Sequence, residues 1–241
     1  MQRRLPQAPL SDGSAVFLDI DGTLLDIAVT PDAVMVPPTL PDLLRRLAVA
    51  RNGALALISG RPILDIDRMF GAGIAVAAEH GAVLRDAGGR ILHTAPTDPA
   101  LAALAAPLRA LVARHPGALL EEKQFGYALH WRRAPHWRDA LVATAGRLTA
   151  DQTALILLPA HAALEIRLRG ADKATALARF MAEAPFAGRA PVFIGDDITD
   201  EPAIAWAEAH GGRGLHVARD FSGGPEAVRA WLAMSTTRAE T

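Results

Sequence analysis

The sequence contains no cysteine, and aromatic residues make up only 5% of its 241 positions. Without cysteine there can be no disulfide bond, thiolate metal site, cysteine nucleophile or iron–sulfur cluster. No charge of one sign dominates, because 25 Lys and Arg residues face 26 Asp and Glu residues and leave a net charge of −1. Proteins that bind nucleic acid or a membrane surface generally need a field of one sign. The balance therefore argues against both kinds of partner.

Long apolar runs are also lacking. No segment approaches the roughly 18 apolar residues that span a bilayer. The N-terminus carries positive charge, but Pro6 and Pro9 interrupt any apolar run, so we do not predict a signal peptide. What is present is an ordinary globular composition, with 51% apolar and 21% charged residues. We expect a cytoplasmic protein of about one to two domains.

Strand and helix patterns alternate in the first and last thirds of the chain. Short apolar runs between polar turn residues predict buried strands at residues 15–20, 54–58, 74–78 and 191–194. Leu40, Leu43, Leu44 and Leu47 have the spacing of an amphipathic helix. Later segments predict helices at residues 173–184, 199–210 and 225–234, a strand at 215–217 and a hairpin around 86–89. This alternation predicts an α/β fold with a parallel sheet covered by helices.

The middle of the chain follows a different pattern. Its elements are predicted in the order αββαββ, with a first helix at residues 100–114 that Pro107 could kink and a third strand at 153–158. We expect neighbouring strands of this segment to pair as antiparallel hairpins. We therefore predict an inserted α+β domain at residues 96–168, within a core made of residues 1–95 and 169–241.

Two acidic motifs directly follow predicted strands. Asp19 and Asp21, in the run Asp-Ile-Asp-Gly-Thr, can serve as nucleophile and acid/base partner or as metal ligands. Residues 195–200 read Gly-Asp-Asp-Ile-Thr-Asp, and three carboxylates in one tight loop repel one another unless a cation is present. Mg²⁺ suits such a site, because it prefers carboxylate oxygens and is usually shared with a substrate phosphate. The alternatives are an ordinary turn for the first motif and a solvated helix start for the second.

Two further residues suit the binding of a phosphate. Ser59 ends a strand before Gly60, Arg61 and Pro62, so its hydroxyl and the N–H groups of a helix start could face an anion. Lys173 stands at a predicted helix start, where its point charge could neutralise a phosphoryl group. Taken singly, Ser59 is equally well explained as a helix N-cap, and Lys173 is better explained as a surface lysine on a helix.

The first acidic motif, Ser59, Lys173 and the second acidic motif follow one another along the chain in the order typical of the haloacid-dehalogenase (HAD) superfamily of phosphatases, which this sequence resembles. Within it, roughly residues 15–232 are similar to the trehalose-6-phosphate phosphatases. The segments that carry this closer resemblance are residues 57–61, 79–82, 120–123, 129–132, 164–167 and 195–201. The resemblance implies a Rossmann-like HAD core, with residues 96–168 as a cap domain that closes over the site and sets sugar specificity.

The resemblance also implies a reaction and the residues that carry it. Trehalose 6-phosphate would be hydrolysed to trehalose and phosphate with Mg²⁺, as the last step of trehalose biosynthesis, with a possible functional link to a trehalose-6-phosphate synthase. Asp19 would form an aspartyl-phosphate, and Asp21 would act as general acid and then base. Mg²⁺ would be held by Asp19, the backbone carbonyl of Asp21 and Asp196, with Asp197 or Asp200 orienting water around it. The implied phosphate ligands are Thr23, Ser59, Gly60 and Lys173, and the implied sugar contacts are Arg61, His80, Glu121, Lys123, His130 and Glu165.

Other functions remain open on the sequence. A HAD phosphatase could act on another sugar phosphate, such as sucrose 6-phosphate or a monosaccharide phosphate. A non-catalytic sugar-phosphate-binding module could use the same fold, although Asp19, Asp21 and Asp196 are all present. A phosphomutase of the superfamily is less compatible with the predicted hairpins, since those enzymes commonly carry a smaller helical cap.

Overall fold

The computed structural model describes residues 8–28, 33–160 and 162–236. Most of the basic N-terminal stretch, residues 1–7, lies outside them. The chain divides into two compact units, one combining residues 1–94 with 172–241 and the other formed by residues 95–171. We refer to these as the core unit and the inserted unit. Within the described ranges, no helix has both the length and the apolar character needed to cross a membrane.

Strands and helices are numbered along the chain. The strands are β1 (Ser14–Leu18), β2 (Leu55–Ile58), β3 (Ala75–Ala78), β4 (Val83–Arg85), β5 (Ile91–Thr94), β6 (Leu119–Glu122), β7 (Gly126–His130), β8 (Leu155–Ala160), β9 (Ala163–Leu168), β10 (Ala190–Gly195) and β11 (Arg213–His216). The α-helices are α1 (Leu40–Ala50), α2 (Ile63–Phe70), α3 (Pro99–Ala103), α4 (Ala105–Ala113), α5 (Arg138–Thr149), α6 (Lys173–Met181), α7 (Glu201–Ala209), α8 (Val217–Asp220) and α9 (Gly224–Met234).

The core unit is built on a seven-stranded sheet in the order β11-β10-β1-β2-β3-β4-β5. The first five of these strands run parallel, whereas β4 and β5 pair antiparallel at one edge and form the predicted hairpin. Every residue of β1, β2 and β3 is buried, as expected where helices cover both faces of a parallel sheet. The predicted α/β fold with a parallel sheet is confirmed.

Three neighbouring strands of this sheet end at the same level. Leu18 of β1 pairs with Ile194 of β10 and with Leu57 of β2. Asp19, Asp196 and Ser59 follow these three positions within one or two residues. Because the carboxyl ends of parallel strands are where such sheets bind ligands, this register gathers the predicted site residues of the core at one edge.

Several core elements differ from the prediction at their ends, and side-chain hydrogen bonds account for two of these differences. The strand predicted at residues 215–217 ends at His216, because the Asp220 side chain accepts a hydrogen bond from the His216 N–H at 2.7 Å and α8 begins at Val217. The helix predicted at 199–210 opens as a 3-10 turn, Ile198–Asp200, before α7. Asp197 caps that turn.

The inserted unit contains a four-stranded antiparallel sheet in the order β6-β7-β9-β8, together with α3, α4 and α5. The single helix predicted at residues 100–114 is two helices, which meet at Leu104. Pro107 has no N–H to donate to the Ala103 carbonyl, so α3 ends there and Pro107 falls in the first turn of α4. The third strand runs to Ala160 rather than 158, and Pro159 is tolerated because β8 is an edge strand.

Candidate active site

A buried lysine links two aspartates at the carboxyl edge of the core sheet. Lys173 is the first residue of α6, and Asp172 caps that helix by accepting a hydrogen bond from the Thr175 N–H at 2.7 Å. The Lys173 Nζ donates to Oδ1 of Asp19 and to Oδ1 of Asp200, at 2.6 Å in each case. All three side chains are at most 6% exposed. The lysine is therefore part of the site rather than a surface residue.

Asp200 organises the acidic loop after β10. Its Oδ2 accepts hydrogen bonds from the backbone N–H groups of Asp196 and Asp197, at 3.0 and 3.1 Å. A Cβ at Gly195 would lie 2.3 Å from the Asp200 carboxyl carbon, so a larger residue at position 195 would displace this carboxylate. With both oxygens engaged, Asp200 shapes the loop and holds Lys173.

Thr23 joins the two acidic motifs. Its Oγ1 lies 3.4 Å from Oδ2 of Asp19 and 3.2 Å from Oδ1 of Asp196. The neighbouring Gly22 has a φ of +82°, and a Cβ there would lie 2.0 Å from an Asp196 oxygen, so only glycine fits. One oxygen from each of Asp19, Asp196 and Asp200 lies within 4.8 Å of the other two. The structure thus brings together carboxylates that are up to 181 positions apart.

The electrostatics of this acidic cluster fit a divalent cation. Burial raises the pKa of Asp19 well above its usual range; Lys173 opposes the rise, and Asp200 and Asp196 add to it. Burial and then the charge of Asp200 raise the pKa of Asp196 to about 6. Burial alone would lower the pKa of Lys173, but Asp19 and Asp200 outweigh it and raise that pKa. Three carboxylates lie together with a single ammonium group, which contacts two of them, and carboxylate oxygens are the ligands that Mg²⁺ prefers.

The carboxylate of Asp21 contacts Arg61, a residue that was predicted to bind the sugar. Its two carboxylate oxygens accept hydrogen bonds from Nε and Nη2 of Arg61, both at 2.7 Å. Arg61 was predicted to contact the sugar, whereas the structure places its guanidinium on the predicted acid/base residue. Asp21 is also the more open of the pair, with 37% of its side chain exposed against 13% for Arg61.

The predicted phosphate-binding turn after β2 is held by the segment that follows β3. Ser59 is 1% exposed, and its Oγ accepts a hydrogen bond from the Arg61 N–H at 3.2 Å. The His80 N–H donates to the Ser59 carbonyl at 2.8 Å. His80 has a φ of +58°, and its ring lies so close to Gly60 that a Cβ there would be 2.4 Å from Nε2. His80 therefore supports this turn and packs against it.

Asp197 lies at the margin of the acidic loop. Its Oδ1 accepts a hydrogen bond from the Ile198 N–H at 2.7 Å, which starts the 3-10 turn. Its side chain therefore acts as a helix cap, and of the two residues predicted to orient water it is Asp200 that contacts Lys173.

The inserted unit carries a second charged cluster on one face of its sheet. Glu121 pairs with Ala128 across β6 and β7, and Ala128 pairs with Glu165 across β7 and β9, so the two glutamates lie in one row. The Lys123 Nζ lies 3.6 Å from Glu121 and 3.5 Å from Glu165. His130 Nε2 lies 2.8 Å from Oε2 of Glu121. The structure thus groups all four sugar-contact residues predicted in this unit.

Arg167 belongs to this cluster and was not predicted. Its Nε lies 3.4 Å from Oε2 of Glu165, and its side chain is 9% exposed. The sequence held a signal for it, because Glu165 and Arg167 are two positions apart in a strand and so point to the same face.

Burial alone would raise the pKa of Glu121, but the His130 hydrogen bond and the charge of Lys123 lower it.

Comparisons with known proteins identify the family of this chain. A family model described as trehalose-phosphatase matches residues 17–233. The trehalose-6-phosphate phosphatase of Escherichia coli (strain K12) is 40% identical over an alignment of 248 positions, gaps included, which covers 98% of this chain and 92% of that protein.

Solved structures show the same fold at lower identity. The C-terminal domain of the C. albicans trehalose-6-phosphate phosphatase superposes with a TM-score of 0.78 at 19% identity, covering 92% of this chain and 91% of that one. A haloacid dehalogenase-like hydrolase from B. subtilis superposes with a TM-score of 0.57 at 18% identity, covering 80% and 86%. The chain therefore has the HAD fold.

Proposed function

Since the chain belongs to the trehalose-phosphatase family, a family of phosphatase enzymes, we propose that it hydrolyses trehalose 6-phosphate to trehalose and phosphate. The observation that carries the proposal is the cluster of the buried residues Asp19, Asp200 and Lys173 with the half-buried Asp196, at the carboxyl edge of the sheet. A reaction that makes trehalose 6-phosphate must supply the substrate, which is the basis of the proposed functional link to a trehalose-6-phosphate synthase.

The first chemical step is phosphoryl transfer to Asp19. An Oδ atom of Asp19 bonds to phosphorus while the bond between phosphorus and the sugar oxygen breaks. Asp21 donates a proton to the departing oxygen, because an alkoxide is a poor leaving group. Lys173 already contacts Asp19 at 2.6 Å, so its charge lies beside the position of the transferred group.

The second step releases phosphate. A water oxygen bonds to phosphorus, Asp21 takes the proton that the water loses, and the Asp19 carboxylate leaves. Uncatalysed phosphomonoester hydrolysis is so slow that the site must lower its barrier by on the order of 20 kcal/mol. Splitting the reaction into two displacements at one preorganised centre is the means that this geometry supports.

The residues for a metal ion and for the phosphate follow from the same cluster. We propose that Asp19, the backbone carbonyl of Asp21 and Asp196 hold Mg²⁺, with Asp200 or Asp197 orienting water around it. When bound, the ion supplies positive charge that offsets the excess of carboxylates. The phosphoryl oxygens are bound by Lys173, Thr23, Ser59 and the Gly60 backbone, the last two lying in the turn supported by His80.

We propose that the charged cluster of the inserted unit binds the hydroxyl groups of the sugar and so determines which sugar phosphate is accepted. Sugar hydroxyls both donate and accept hydrogen bonds, and the Lys123 donor lies within 3.6 Å of a carboxylate oxygen of Glu121 and of Glu165, which are acceptors. A wrong ligand leaves such buried polar groups unpaired, and that penalty gives specificity. His130 acts here by contacting Glu121.

A substrate panel tests the proposal. Phosphate release from trehalose 6-phosphate, sucrose 6-phosphate, glucose 6-phosphate and p-nitrophenyl phosphate is measured with Mg²⁺ and with chelator. We expect the highest kcat/KM with trehalose 6-phosphate and Mg²⁺. A flat profile, or a preference for another sugar phosphate, would overturn the substrate assignment alone. Binding of trehalose 6-phosphate without release of phosphate from any compound would favour the non-catalytic module.

A further inference from the structure

We infer that Arg61 is a positioning residue that holds the Asp21 carboxylate in the orientation from which Asp21 exchanges a proton with the sugar oxygen. The observation is the two-pronged contact in which Nε and Nη2 of Arg61 each lie 2.7 Å from an oxygen of Asp21. A single hydrogen bond lets a carboxylate rotate, whereas the arginine fork fixes both oxygens and the plane that they share. The inference rests on the proposed function.

The backbone of Arg61 is itself fixed from two sides. Its N–H donates to Oγ of Ser59 at 3.2 Å, and its carbonyl accepts a hydrogen bond from the Glu79 N–H at 3.1 Å. Pro62 follows at once and restricts the chain at the start of α2. The guanidinium therefore extends from a rigid turn.

Asp21 needs such support more than its partners in the site do. Asp19 and Asp200 are buried and tied to Lys173, whereas 37% of the Asp21 side chain is exposed. An acid/base group works only when it lies within hydrogen-bond reach of the reacting oxygen. The contact with Arg61 restricts the side chain at little cost, because arginine is pre-organised for this geometry.

The test separates proton donation from phosphate binding. A sugar alkoxide needs a proton to leave, but p-nitrophenolate is a stable anion that leaves without one. Because kcat/KM reports the steps up to the first irreversible one, here release of the leaving group, it excludes the later hydrolysis that both substrates share. The readout is the ratio of kcat/KM for trehalose 6-phosphate to kcat/KM for p-nitrophenyl phosphate.

Arg61→Lys keeps the positive charge but loses the fork, and Arg61→Gln removes the charge as a second variant. We expect the ratio to fall at least about tenfold in both, since general acid catalysis contributes about 10²- to 10⁴-fold. Arg85→Lys is the matched control. Arg85 makes a two-pronged contact with Asp67 at 2.7 and 2.6 Å, with exposures of 12% and 27% close to those of the Arg61 pair. Arg85→Lys should leave the ratio of the two kcat/KM values within about twofold of wild type. A thermal melt of each variant checks that it is folded.

A double-mutant cycle decides whether Arg61 acts through Asp21. In an Asp21→Asn background, Arg61→Lys should change the ratio no further, because the proton donor is already gone. An unchanged ratio in the single variants would overturn the inference. An undiminished effect in the Asp21→Asn background would also overturn it, and would favour a direct contact of Arg61 with the sugar. Both results require an active wild-type protein, so they are distinct from failure of the proposed function, in which wild type releases no phosphate from trehalose 6-phosphate.

Discussion

The charged clusters of the core unit and of the inserted unit differ in net charge. In the core unit, three carboxylates share Lys173, so two negative charges remain when all groups are ionised. In the inserted unit, Glu121 and Glu165 face Lys123 and Arg167, and the charges cancel. Lys123 and Lys173 are the only two lysines in the sequence, and each lies in one of the clusters.

This difference corresponds to two kinds of ligand. An excess of buried carboxylates is costly unless a cation offsets it, and a divalent ion together with Lys173 suits a phosphate group. A balanced cluster needs no ion and offers donors and acceptors to neutral hydroxyl groups. The pKa directions agree, because that of Asp19 is raised and that of Glu121 is lowered.

The largest expected effect comes from removing the nucleophile of the core cluster. Asp19→Asn keeps the shape of the side chain but replaces the carboxylate that bonds to phosphorus by a neutral amide, which is a much weaker nucleophile. We expect kcat for trehalose 6-phosphate to fall at least about a thousandfold, with binding of the substrate retained. Single-turnover phosphate release and calorimetric titration with substrate measure the two quantities. Equal rates for variant and wild type would remove Asp19 as the nucleophile.

Removal of the metal ion should lower kcat and the melting temperature through the core cluster, because the inserted cluster needs no ion. A chelator should lower kcat by about a hundredfold or more, and added Mg²⁺ should restore it, because the ion offsets the surplus carboxylates. Since an ion that binds only the folded state stabilises it, Mg²⁺ should also raise the melting temperature. The Asp196→Asn variant is the control, and its melting temperature should respond less to Mg²⁺. Full activity in the chelator would contradict the metal assignment.

Substitution in the inserted cluster should change substrate binding rather than chemistry. Glu121→Gln should raise KM for trehalose 6-phosphate about tenfold, since a hydrogen bond to a charged group contributes about 1.5–3 kcal/mol. It should leave kcat/KM for p-nitrophenyl phosphate nearly unchanged. Glu122→Gln is the matched control, because Glu122 is the next residue of β6 and pairs with Arg109 instead. If both variants behave alike, Glu121 does not contact the sugar.

The smallest expected effect is on stability at acid pH. Because the folded state holds the pKa of Glu121 below its usual value, Glu121 stabilises the fold at pH values above its unfolded pKa of about 4.3. That contribution is lost as pH falls through the lower, folded pKa. The melting temperature of Glu121→Gln should therefore be about 2 °C below wild type at pH 7, and the gap should narrow as the pH falls below the unfolded value of about 4.3. A constant gap over this range would show that the effect of Glu121 is not electrostatic.

Parts of the fold and of the site were accessible from the sequence. Apolar runs placed the strands, and the short motifs marked the residues that follow them, because strand period and turn chemistry are local properties. Pro107 was recognised as a disturbance, but its effect was a division into α3 and α4 rather than a kink. The end of β11 was missed because the Asp220 side chain closes a turn onto His216.

The sequence by itself determined which chemical groups stand at the ends of the strands and in what order. Only the tertiary structure decided which groups meet: that Lys173 joins Asp19 to Asp200, that Arg61 holds Asp21, and that Arg167 contacts Glu165. The reason is physical. Strand formation and turn chemistry depend on neighbours a few residues away, whereas the partner of a buried charge depends on sheet order and register, which bring together residues that are distant along the chain.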